Sequence, residues 1–361
     1  MQCTWLEDYI WLVEIKVLFA VLNWGLGHAT RSVPMIKSIL NTPAKLELAS
    51  TGKAASLLSD EFPNLIVHDL DDREVRYSSR GAKSALMKRA LQQKAINTSQ
   101  QRKIKKLCAD NGYTHIVSDN VYGVYHPNLK SALITHQLSL KTPLGSKVVN
   151  QRLANWINNF SEVWIPDDPK FRVSGELGQN SNVTIPKHHL GILTRIPQLK
   201  RPSEANFKIG VLLGGPEPQR SILEERILDV LVDVDGSKVI FRGSRDSQLE
   251  RKHWKIYDFG TAKEMAEIIP SCELVIARSG YSSVMDLMGL AKKILFVPTP
   301  GQTEQEYLAE HLASLPNIMI CKQKNLRIST IEKALQSKLG SLKKPIRFTG
   351  DNEVVKKFLG T

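Results

Sequence analysis

The stretch ELVIARSGYSSVMDLMGLAKKILFVPTPGQTEQEYLAEHL, residues 273–312, decides the fold of this 361-residue chain. An apolar run ending at Ala277 predicts a buried strand, the turn RSG follows, and a helical pattern begins at about Tyr281. A second apolar run at 293–297 again leads into a loop and a helix. This alternation of strand, loop and helix is typical of a parallel, doubly wound α/β sheet.

The same alternation extends over most of the chain. The predicted strands span residues 15–22, 45–50, 65–69, 114–118, 132–135, 162–165, 208–213, 238–241, 273–277 and 293–297, and we expect 162–165 to be the last strand of the first half. The polar stretch QLKRPSEAN, residues 198–206, predicts a linker. We therefore predict two doubly wound, Rossmann-like α/β domains that face each other across a cleft. The predicted parts are an N-terminal extension (1–14), a first domain (15–200), a second domain (201–345) and a C-terminal helix (346–361) that can pack back on the first domain.

Charge and cysteine usage narrow the class of protein. Lys and Arg number 49 against 36 Asp and Glu, and the net charge of +13 favours an anionic partner. The four cysteines lack the spacing of a disulfide framework or a metal site, so we expect a reducing compartment. No run reaches the roughly 18 apolar residues of a membrane span, and the first residues lack the features of a signal peptide. We therefore expect a cytoplasmic protein.

The turn after Ala277 predicts an anion site, because ligands of doubly wound sheets bind beyond the carboxyl ends of the strands. Gly280 leaves the first-turn N–H groups of the next helix, from Tyr281 onward, open to diphosphate oxygens, which the helix dipole also attracts. Arg278 can add a positive charge and Ser279 a hydroxyl group. These residues predict the diphosphate site of a nucleotide ligand.

Polar residues further along the same stretch predict contacts with the rest of a nucleotide-sugar. Asp286, six residues after Gly280, can accept hydrogen bonds from a ribose diol. Gln302, Gln305 and Glu306 offer the polar groups that sugar hydroxyls require. Taken singly, each could instead be an ordinary surface or loop residue, and the joint spacing favours the ligand site.

These motifs stand at the spacing found in glycosyltransferase family 28. RSG at 278–280, the acid at 286, FVP at 296–298 and QEY at 305–307 match, without a gap, the family's Arg-Ser-Gly, acidic residue, Phe-Val-Pro and Gln-Gln-Tyr. The segment therefore resembles the C-terminal half of that family.

The resemblance implies a GT-B fold, a nucleotide-sugar donor (a UDP-linked hexose or N-acetylhexosamine), and transfer with inversion that needs no cofactor. It also places the family's glycine-rich donor turn at Gly214 and Gly215. Two departures leave the donor sugar open, because Asp286 replaces the usual glutamate and Glu306 replaces the second glutamine.

The loop NWGLGHATR, residues 23–31, follows the first predicted strand and opens a helix. Its GxG is compatible with a dinucleotide site, but Thr30 stands where that fingerprint needs a small residue, which disfavours a nicotinamide enzyme. The family resemblance implies a Gly-Gly-His loop here, with Gly27 near the donor and His28 as general base. The helix dipole should lower the pKa of His28 and keep it neutral near pH 7. A histidine that only caps or packs the helix is the alternative.

Polar residues at the ends of two other strands form the predicted acceptor side. Asp119 and Asn120 follow the run THIVS, and His136 and Gln137 follow ALIT. The second pair partly resembles the family's His-Glu-Gln-Asn stretch, which implies contacts with the acceptor. Asp119 is alternatively a partner of His28, and turns or caps would also account for all four residues.

A basic segment lies between Arg80 and Lys106, with nine Lys or Arg and no acid. Apolar residues at helical spacing accompany it, so it predicts docking on anionic lipid headgroups, at about 1 kcal/mol per basic side chain. The family resemblance agrees, since it implies a lipid-linked acceptor at the inner face of the cell membrane. A solvated helix face is the alternative. Nucleic-acid binding is not expected, because the segment lacks stacking aromatics and a nucleic-acid motif.

Together these observations predict a glycosyltransferase that moves a sugar to a hydroxyl acceptor by single displacement. We expect no metal, since a helix N-terminus with basic side chains can stabilise the leaving group. Two alternatives stay open at this point. One is a nucleotide-sugar hydrolase or 2-epimerase of the same fold, and the other is a non-catalytic basic module that tethers partners to a membrane.

Overall fold

The computed structural model describes residues 14–24, 26–70, 82–141, 145–194, 196, 206–215, 217–244, 251–290, 292–337 and 352–361. Residues 1–13 of the predicted extension, nearly all of the predicted linker, and Arg80 of the basic segment lie outside this set. No helix among the described residues is both long and apolar enough to cross a bilayer.

The first half of the chain forms a parallel sheet of seven strands in the order β3-β2-β1-β4-β5-β6-β7. The strands are β1 (Lys16–Val21), β2 (Lys45–Ser50), β3 (Val67–Asp69), β4 (His115–Asp119), β5 (Lys130–Ile134), β6 (Glu162–Ile165) and β7 (Lys187–His189). The helices are α1 (Gly27–Leu40), α2 (Gly52–Glu61), α3 (Ala82–Asn111) and α4 (Ser146–Ile157), with a 3₁₀ turn at Gly175–Gly178.

The second half forms a parallel sheet of six strands in the order β10-β9-β8-β11-β12-β13. The strands are β8 (Phe207–Leu212), β9 (Lys238–Phe241), β10 (Trp254–Tyr257), β11 (Cys272–Ala277), β12 (Lys293–Phe296) and β13 (Ile318–Ile320). The helices are α5 (Gln219–Val230), α6 (Ala262–Ile268), α7 (Tyr281–Met288), α8 (Thr303–Leu312), α9 (Ile328–Gln336) and α10 (Asn352–Leu359), with 3₁₀ turns at Ile269–Ser271 and Gln323–Asn325.

The ten predicted strands are all present, with ends within two residues of the prediction, and the doubly wound α/β class is confirmed. The prediction that 162–165 is the last strand of the first half is wrong, because β7 pairs with it at the sheet edge. The sequence also gives no sign of β10 or β13, which are edge strands as well. β7 and β13 have only three residues each and β10 alternates apolar with polar side chains, so none of them has the longer apolar run that marks an interior strand.

The strand order reverses beside the first strand of each sheet, between β1 and β4 and between β8 and β11. The register sets Val21 opposite Asp119 in the first sheet and Leu212 opposite Ala277 in the second. Side chains along these strands are buried because helices cover both faces. The polar residues that follow the strands therefore collect at the two switch points, where ligands of this fold class bind.

The C-terminal helix α10 packs on the first sheet. The ring of Phe358 lies edge-on to Trp164 at 5.2 Å and to His115 at 5.1 Å, between ring centroids. The Phe358 carbonyl also accepts a hydrogen bond from Nζ of Lys130 at 3.3 Å. The end of the chain thus contributes to the core of its first half.

Replacing Phe358 with alanine should lower the free energy of unfolding of the first half by about 3–5 kcal/mol, because it leaves a cavity against two rings. Denaturant unfolding followed by the fluorescence of the tryptophans measures this loss. Lys357→Ala is the matched control, since Lys357 is exposed on the same helix turn. Equal stability of the two variants would show that α10 is not part of that core.

Candidate active site

The carboxyl ends of the two sheets face each other, and we call the surface on which they meet the seam. At its centre the hydroxyl of Ser282, in α7, donates a 3.0 Å hydrogen bond to the carbonyl of Gly27, the first residue of α1. A Cβ atom at Gly27 would lie only 2.9 Å from Oγ of Ser282. Glycine at this position therefore allows the N-terminal turns of α1 and α7 to meet.

His28 and Asp119 form a pair on the first-half side of the seam. Nδ1 of His28 lies 2.9 Å from Oδ1 of Asp119, which ends β4 and is fully buried. Arg31, one helical turn after His28, donates through Nε and Nη2 to the same carboxylate, and the hydroxyl of Ser32 donates to Oδ2 at 2.8 Å. Three residues of α1 thus share one buried carboxylate.

Two neighbours of the His28 ring make opposite demands on Nδ1. This nitrogen is 2.7 Å from Nη2 of Arg31 and 2.9 Å from Oδ1 of Asp119. The guanidinium can only donate and favours the tautomer in which Nδ1 accepts, whereas the carboxylate can only accept and favours the tautomer with hydrogen on Nδ1. In the tautomer that Asp119 favours, Nε2 is the nitrogen that can take a proton.

The electrostatic surroundings keep this pair in the state that a general base needs. Burial lowers the pKa of His28 and the Arg31 cation lowers it further, while Asp119 raises it in part. Burial alone would raise the pKa of Asp119, but Arg31 and His28 hold it well below its usual range. At neutral pH the histidine is therefore neutral and the aspartate ionised.

His136 continues the network across the seam. Its Nδ1 accepts a 3.2 Å hydrogen bond from Nη1 of Arg31, and its Nε2 lies 2.8 Å from Oε1 of Glu304, in α8. The ring of Tyr281 stacks on it, with centroids 3.7 Å apart and planes 8° from parallel. The Tyr281 hydroxyl donates to the carbonyl of Pro166 at 2.6 Å, so α7 and α8 both contact the first half here.

Sequence reasoning missed Arg31 and Glu304. Arg31 stands three residues after His28 on a helix, which puts both side chains on one face, so its spacing was a usable signal. No comparable signal marks Glu304, because its partner His136 is 168 residues away in the chain.

Arg278 is a buried cation on the second-half side. Its guanidinium donates to the carbonyls of Val297 and Pro298, both at 3.1 Å, and of Gln219 at 2.6 Å. It pairs with no carboxylate among the described residues, and its Nε has no hydrogen-bond partner there. Burial lowers the pKa of Arg278 to about 10. The local structure thus holds an uncompensated positive charge.

Two other predicted donor residues brace the loops around this cation. The hydroxyl of Ser279 donates to the carbonyl of Gln305 at 2.7 Å. The buried Gln305 side chain accepts from the Thr299 N–H at 2.9 Å and donates to the Gln302 side chain at 2.7 Å. The exposed Glu306 accepts from the N–H of Gly301 at 3.1 Å. These contacts fix the shape of the loops, and direct sugar contacts by these side chains stay a prediction.

The first turn of α7 is open. Gly280 is its N-cap. No side chain among the described residues caps the N–H groups of this turn, and the turn contains no acidic residue. A Cβ at Gly280 would come no closer than 3.8 Å to Nε2 of Gln305, and one at Gly214 would meet no described atom within 4 Å. Gly215 has a φ of 100°, in the region that favours glycine. The backbone is therefore shaped for close approach by an anion.

The remaining predicted residues lie nearby in supporting roles. Asp286 is buried and accepts from the Thr194 hydroxyl at 2.8 Å, across the seam. Asn120 accepts from the hydroxyls of Tyr122 and Thr135, both at 3.0 Å. The backbone N–H of Gln137 donates to the Thr135 hydroxyl at 3.1 Å. Among the described residues, no group of three or more His, Cys, Asp or Glu side chains is arranged to hold a metal ion.

Residues 223–352 match the model of the glycosyltransferase family 28 C-terminal domain. The second half of this chain therefore resembles the C-terminal domain of that family. The UDP-N-acetylglucosamine--N-acetylmuramyl-(pentapeptide) pyrophosphoryl-undecaprenol N-acetylglucosamine transferase of Sulfurihydrogenibium sp. (strain YO3AOP1) is 26% identical over 164 residues. That match covers 42% of this chain and 46% of the relative, so the chain matches about half the length of that relative.

Solved structures resemble the whole molecule. The glycosyltransferase SnogD from Streptomyces nogalater has a TM-score of 0.65 at 11% identity, covering 96% of both chains. The Acinetobacter baumannii MurG structure has a TM-score of 0.56 at 12% identity, covering 96% of this chain and 100% of its own. The chain thus has a GT-B fold, and the fold predicted from the sequence is confirmed.

A second set of contacts across the seam joins α8 to the first half. The Tyr307 hydroxyl accepts from the N–H of Glu176 at 2.7 Å, and Nε2 of His311 lies 3.1 Å from the carbonyl of Arg172. A Cβ at Gly175 would collide with the Tyr307 hydroxyl. Glycine is therefore required where α8 approaches the first half.

Gly175→Ala should open the seam and raise the radius of gyration in small-angle X-ray scattering, because the methyl group displaces Tyr307. Gly112→Ala is the matched control, since Gly112 has a similar positive φ (65° against 56°) but no described atom within 4 Å of a Cβ. Backbone strain is then common to both variants. An unchanged radius of gyration for Gly175→Ala would show that this contact does not hold the halves together.

Proposed function

We propose that this protein is a glycosyltransferase that moves a sugar from a nucleoside-diphosphate sugar to a hydroxyl acceptor. The observation that carries the proposal is the His28–Asp119 pair, in which a buried carboxylate holds a partly exposed imidazole near the uncapped N-terminus of α7, at the seam of a GT-B fold. One side of the seam provides a neutral base and the other an anion site, which are the two groups that a displacement at a sugar carbon needs.

The proposed reaction is a single displacement. Nε2 of His28 takes the proton of the acceptor hydroxyl while that oxygen attacks the anomeric carbon. The bond from this carbon to the diphosphate breaks, and its electron pair leaves on the diphosphate oxygen. Asp119 stabilises the imidazolium that forms, in the role that a carboxylate has beside a catalytic histidine. Attack from the face opposite the leaving group inverts the configuration, and no metal or other cofactor takes part.

The leaving diphosphate would be held by the N-terminal turn of α7 and by the field of Arg278. A buried guanidinium without a carboxylate is costly, and an anionic ligand at the adjacent helix start would compensate it. The glycines at 214, 215 and 280 let phosphate oxygens approach the backbone. We propose Asp286 for the ribose and Gln302, Gln305 and Glu306 for the sugar, which requires the contacts of Asp286 with Thr194 to rearrange.

A phosphate-bearing, lipid-linked acceptor at the cytoplasmic face of a membrane fits the first half of the chain. Residues 15–200 contain 25 Lys and Arg against 13 Asp and Glu. In α3, Arg102, Lys105 and Lys106 are exposed, whereas Ile104 and Cys108 are buried against the sheet. That part of the helix would therefore bind an anionic membrane through its basic side chains, because its apolar side chains are already buried in the protein. The relative from Sulfurihydrogenibium is named for an undecaprenol-linked acceptor.

His28→Ala should lower turnover by roughly 10²–10⁴, with donor affinity nearly unchanged, because it removes the base and leaves the diphosphate site intact. Thermal-shift screening against nucleotides and nucleotide-sugars identifies the donor, since binding to the native state raises stability. Turnover and calorimetric affinity are then measured with that donor. His188→Ala, on the edge strand β7, is the control histidine.

Three outcomes of these experiments would contradict the proposal. Unchanged turnover in His28→Ala would remove His28 from the mechanism. Formation of an epimeric nucleotide-sugar by the wild type with donor alone would identify an epimerase, and absence of turnover with every donor and acceptor would favour a non-catalytic tether.

Neutralising Arg102, Lys105 and Lys106 to glutamine should weaken binding to phosphatidylglycerol vesicles by about 3 kcal/mol in total, since each charge contributes about 1 kcal/mol near an anionic surface. Vesicle sedimentation measures this loss. The control is the exposed set Lys263, Lys322 and Lys333, changed in the same way in the second half. Equal losses in both variants would mean that net charge, and not this surface of α3, determines binding.

A further inference from the structure

An unbroken series of hydrogen bonds runs from α8 to the proposed base. We call its members, His28, Arg31, Asp119, His136 and Glu304, the seam network. Glu304 contacts His136 at 2.8 Å, His136 contacts Arg31 at 3.2 Å, and Arg31 binds Asp119, which holds His28. Four members belong to the first half, and only Glu304 comes from the second.

We propose that Glu304 and His136 are positioning residues that orient the His28–Asp119 pair through Arg31, so that the base is fully assembled only when the two halves are closed on each other. The inference rests on the proposed function and extends it, because it assigns the second half a part in organising the base as well as in binding the donor.

The hydrogen-bonding capacities of the groups leave one consistent arrangement. Glu304 can only accept, so Nε2 of His136 carries the hydrogen. Arg31 can only donate, so Nδ1 of His136 is the acceptor. A neutral His136 meets both demands at once, and a protonated ring would direct a second N–H at Arg31. Burial lowers the pKa of His136, with Glu304 raising it in part, which agrees with the neutral ring.

The packing makes His136 sensitive to the position of the second half. Tyr281 stacks on its ring and is also the first residue of α7, where the diphosphate would bind. Glu304 is the second residue of α8 and lies between Gln302 and Gln305 in the chain. Both elements proposed to hold the donor therefore touch the same imidazole. Moving the second half away would withdraw Glu304 and leave Nη1 of Arg31 with a misplaced acceptor.

Titratable groups from five elements face His28, and the three charged ones set the sign of the expected effect. Arg31 in α1 lowers the pKa of His28, and Asp119 in β4 and Glu304 in α8 raise it. His136 after β5 and Tyr281 in α7 are neutral at pH 7. Removing Glu304 should therefore lower the pKa of His28. The acid limb of the kcat/KM profile then moves to lower pH, because the base stays neutral further into acid.

The test compares Glu304→Ala and Glu304→Gln with Glu310→Ala, which removes an exposed carboxylate from the same helix. Glu304→Ala should lower kcat about tenfold through misplacement of the base, with the KM for the donor nearly unchanged. Glu304→Gln keeps an acceptor for His136 and should lose less. Glu310→Ala should behave as the wild type.

A second readout needs no turnover. Histidine-selective isotope labelling of the full chain gives ring titration curves by NMR, with His28 and His136 assigned from His28→Gln and His136→Gln variants. We expect the pKa of both rings to fall in Glu304→Ala, and the change at His28 to be smaller when His136 is already replaced. If only His136 shifts, the Glu304–His136 contact is local and the inference is wrong.

Turnover and the titration curves together distinguish failure of the proposed function from failure of the positioning role of Glu304. A wild-type chain that is inactive on every donor would remove the proposed function, while the titration curves would still show whether Glu304 acts on His28. An active wild type whose Glu304→Ala variant keeps both its rate and its His28 titration would remove the inference alone.

Discussion

Asp119 is an ionised carboxylate with no access to water, and the arrangement of the first half depends on how it is satisfied. The desolvation of such a group costs several kcal/mol, so it must be surrounded by donors. Its donors come from one helix, since His28, Arg31 and Ser32 all lie in the first two turns of α1. This requirement fixes the rotation of α1 on the sheet and thereby the direction in which His28 faces. The proposed general base is held by the same contacts that keep a buried charge tolerable.

The buried charge of the second half, Arg278, has no countercharge among the described residues, in contrast to Asp119. Arg278 is held by backbone carbonyls, which bind a cation without neutralising it. The N-terminal turn of α7 beside it adds partial positive charge and has no acid to balance it. The first-half side of the cleft thus has paired charges, and the second-half side is electropositive. This division separates the two requirements of the proposed reaction. Proton transfer needs a base whose pKa is set by fixed neighbours, and diphosphate departure needs charge that is still uncompensated before the ligand arrives.

The sequence predicted the interior of both sheets and the strand ends that carry His28, Asp119 and the Arg278 turn, because parallel strands buried on both faces leave continuous apolar runs. It could not predict β7, β10 or β13, which owe their pairing to a neighbouring strand. It assigned ligand roles to Ser279 and Gln305, whose polar groups brace loops in the structure. A motif reports which residues occur together, and it does not say whether they face a ligand or each other. The proposed role of Glu304 could not be predicted from the sequence at all, since it depends on a contact between distant parts of the chain.

The polar contacts across the seam also bear on turnover. Ser282 with Gly27 and Tyr281 with Pro166 are single hydrogen bonds, each worth about 0.5–1.5 kcal/mol net because water replaces the lost partner on opening. Thr194 adds another bond, to the carboxyl group of Asp286. Bonds of this strength hold the halves in register and still allow them to part, which the proposed transfer requires if a donor and an acceptor are to enter and a nucleotide is to leave. Glu304 differs from these residues because its partner, His136, is hydrogen-bonded through Arg31 to the proposed base. Opening would then disorganise the base at the moment when water has access to the cleft, and closure around both substrates would restore it, which would favour transfer to the acceptor over hydrolysis of the donor.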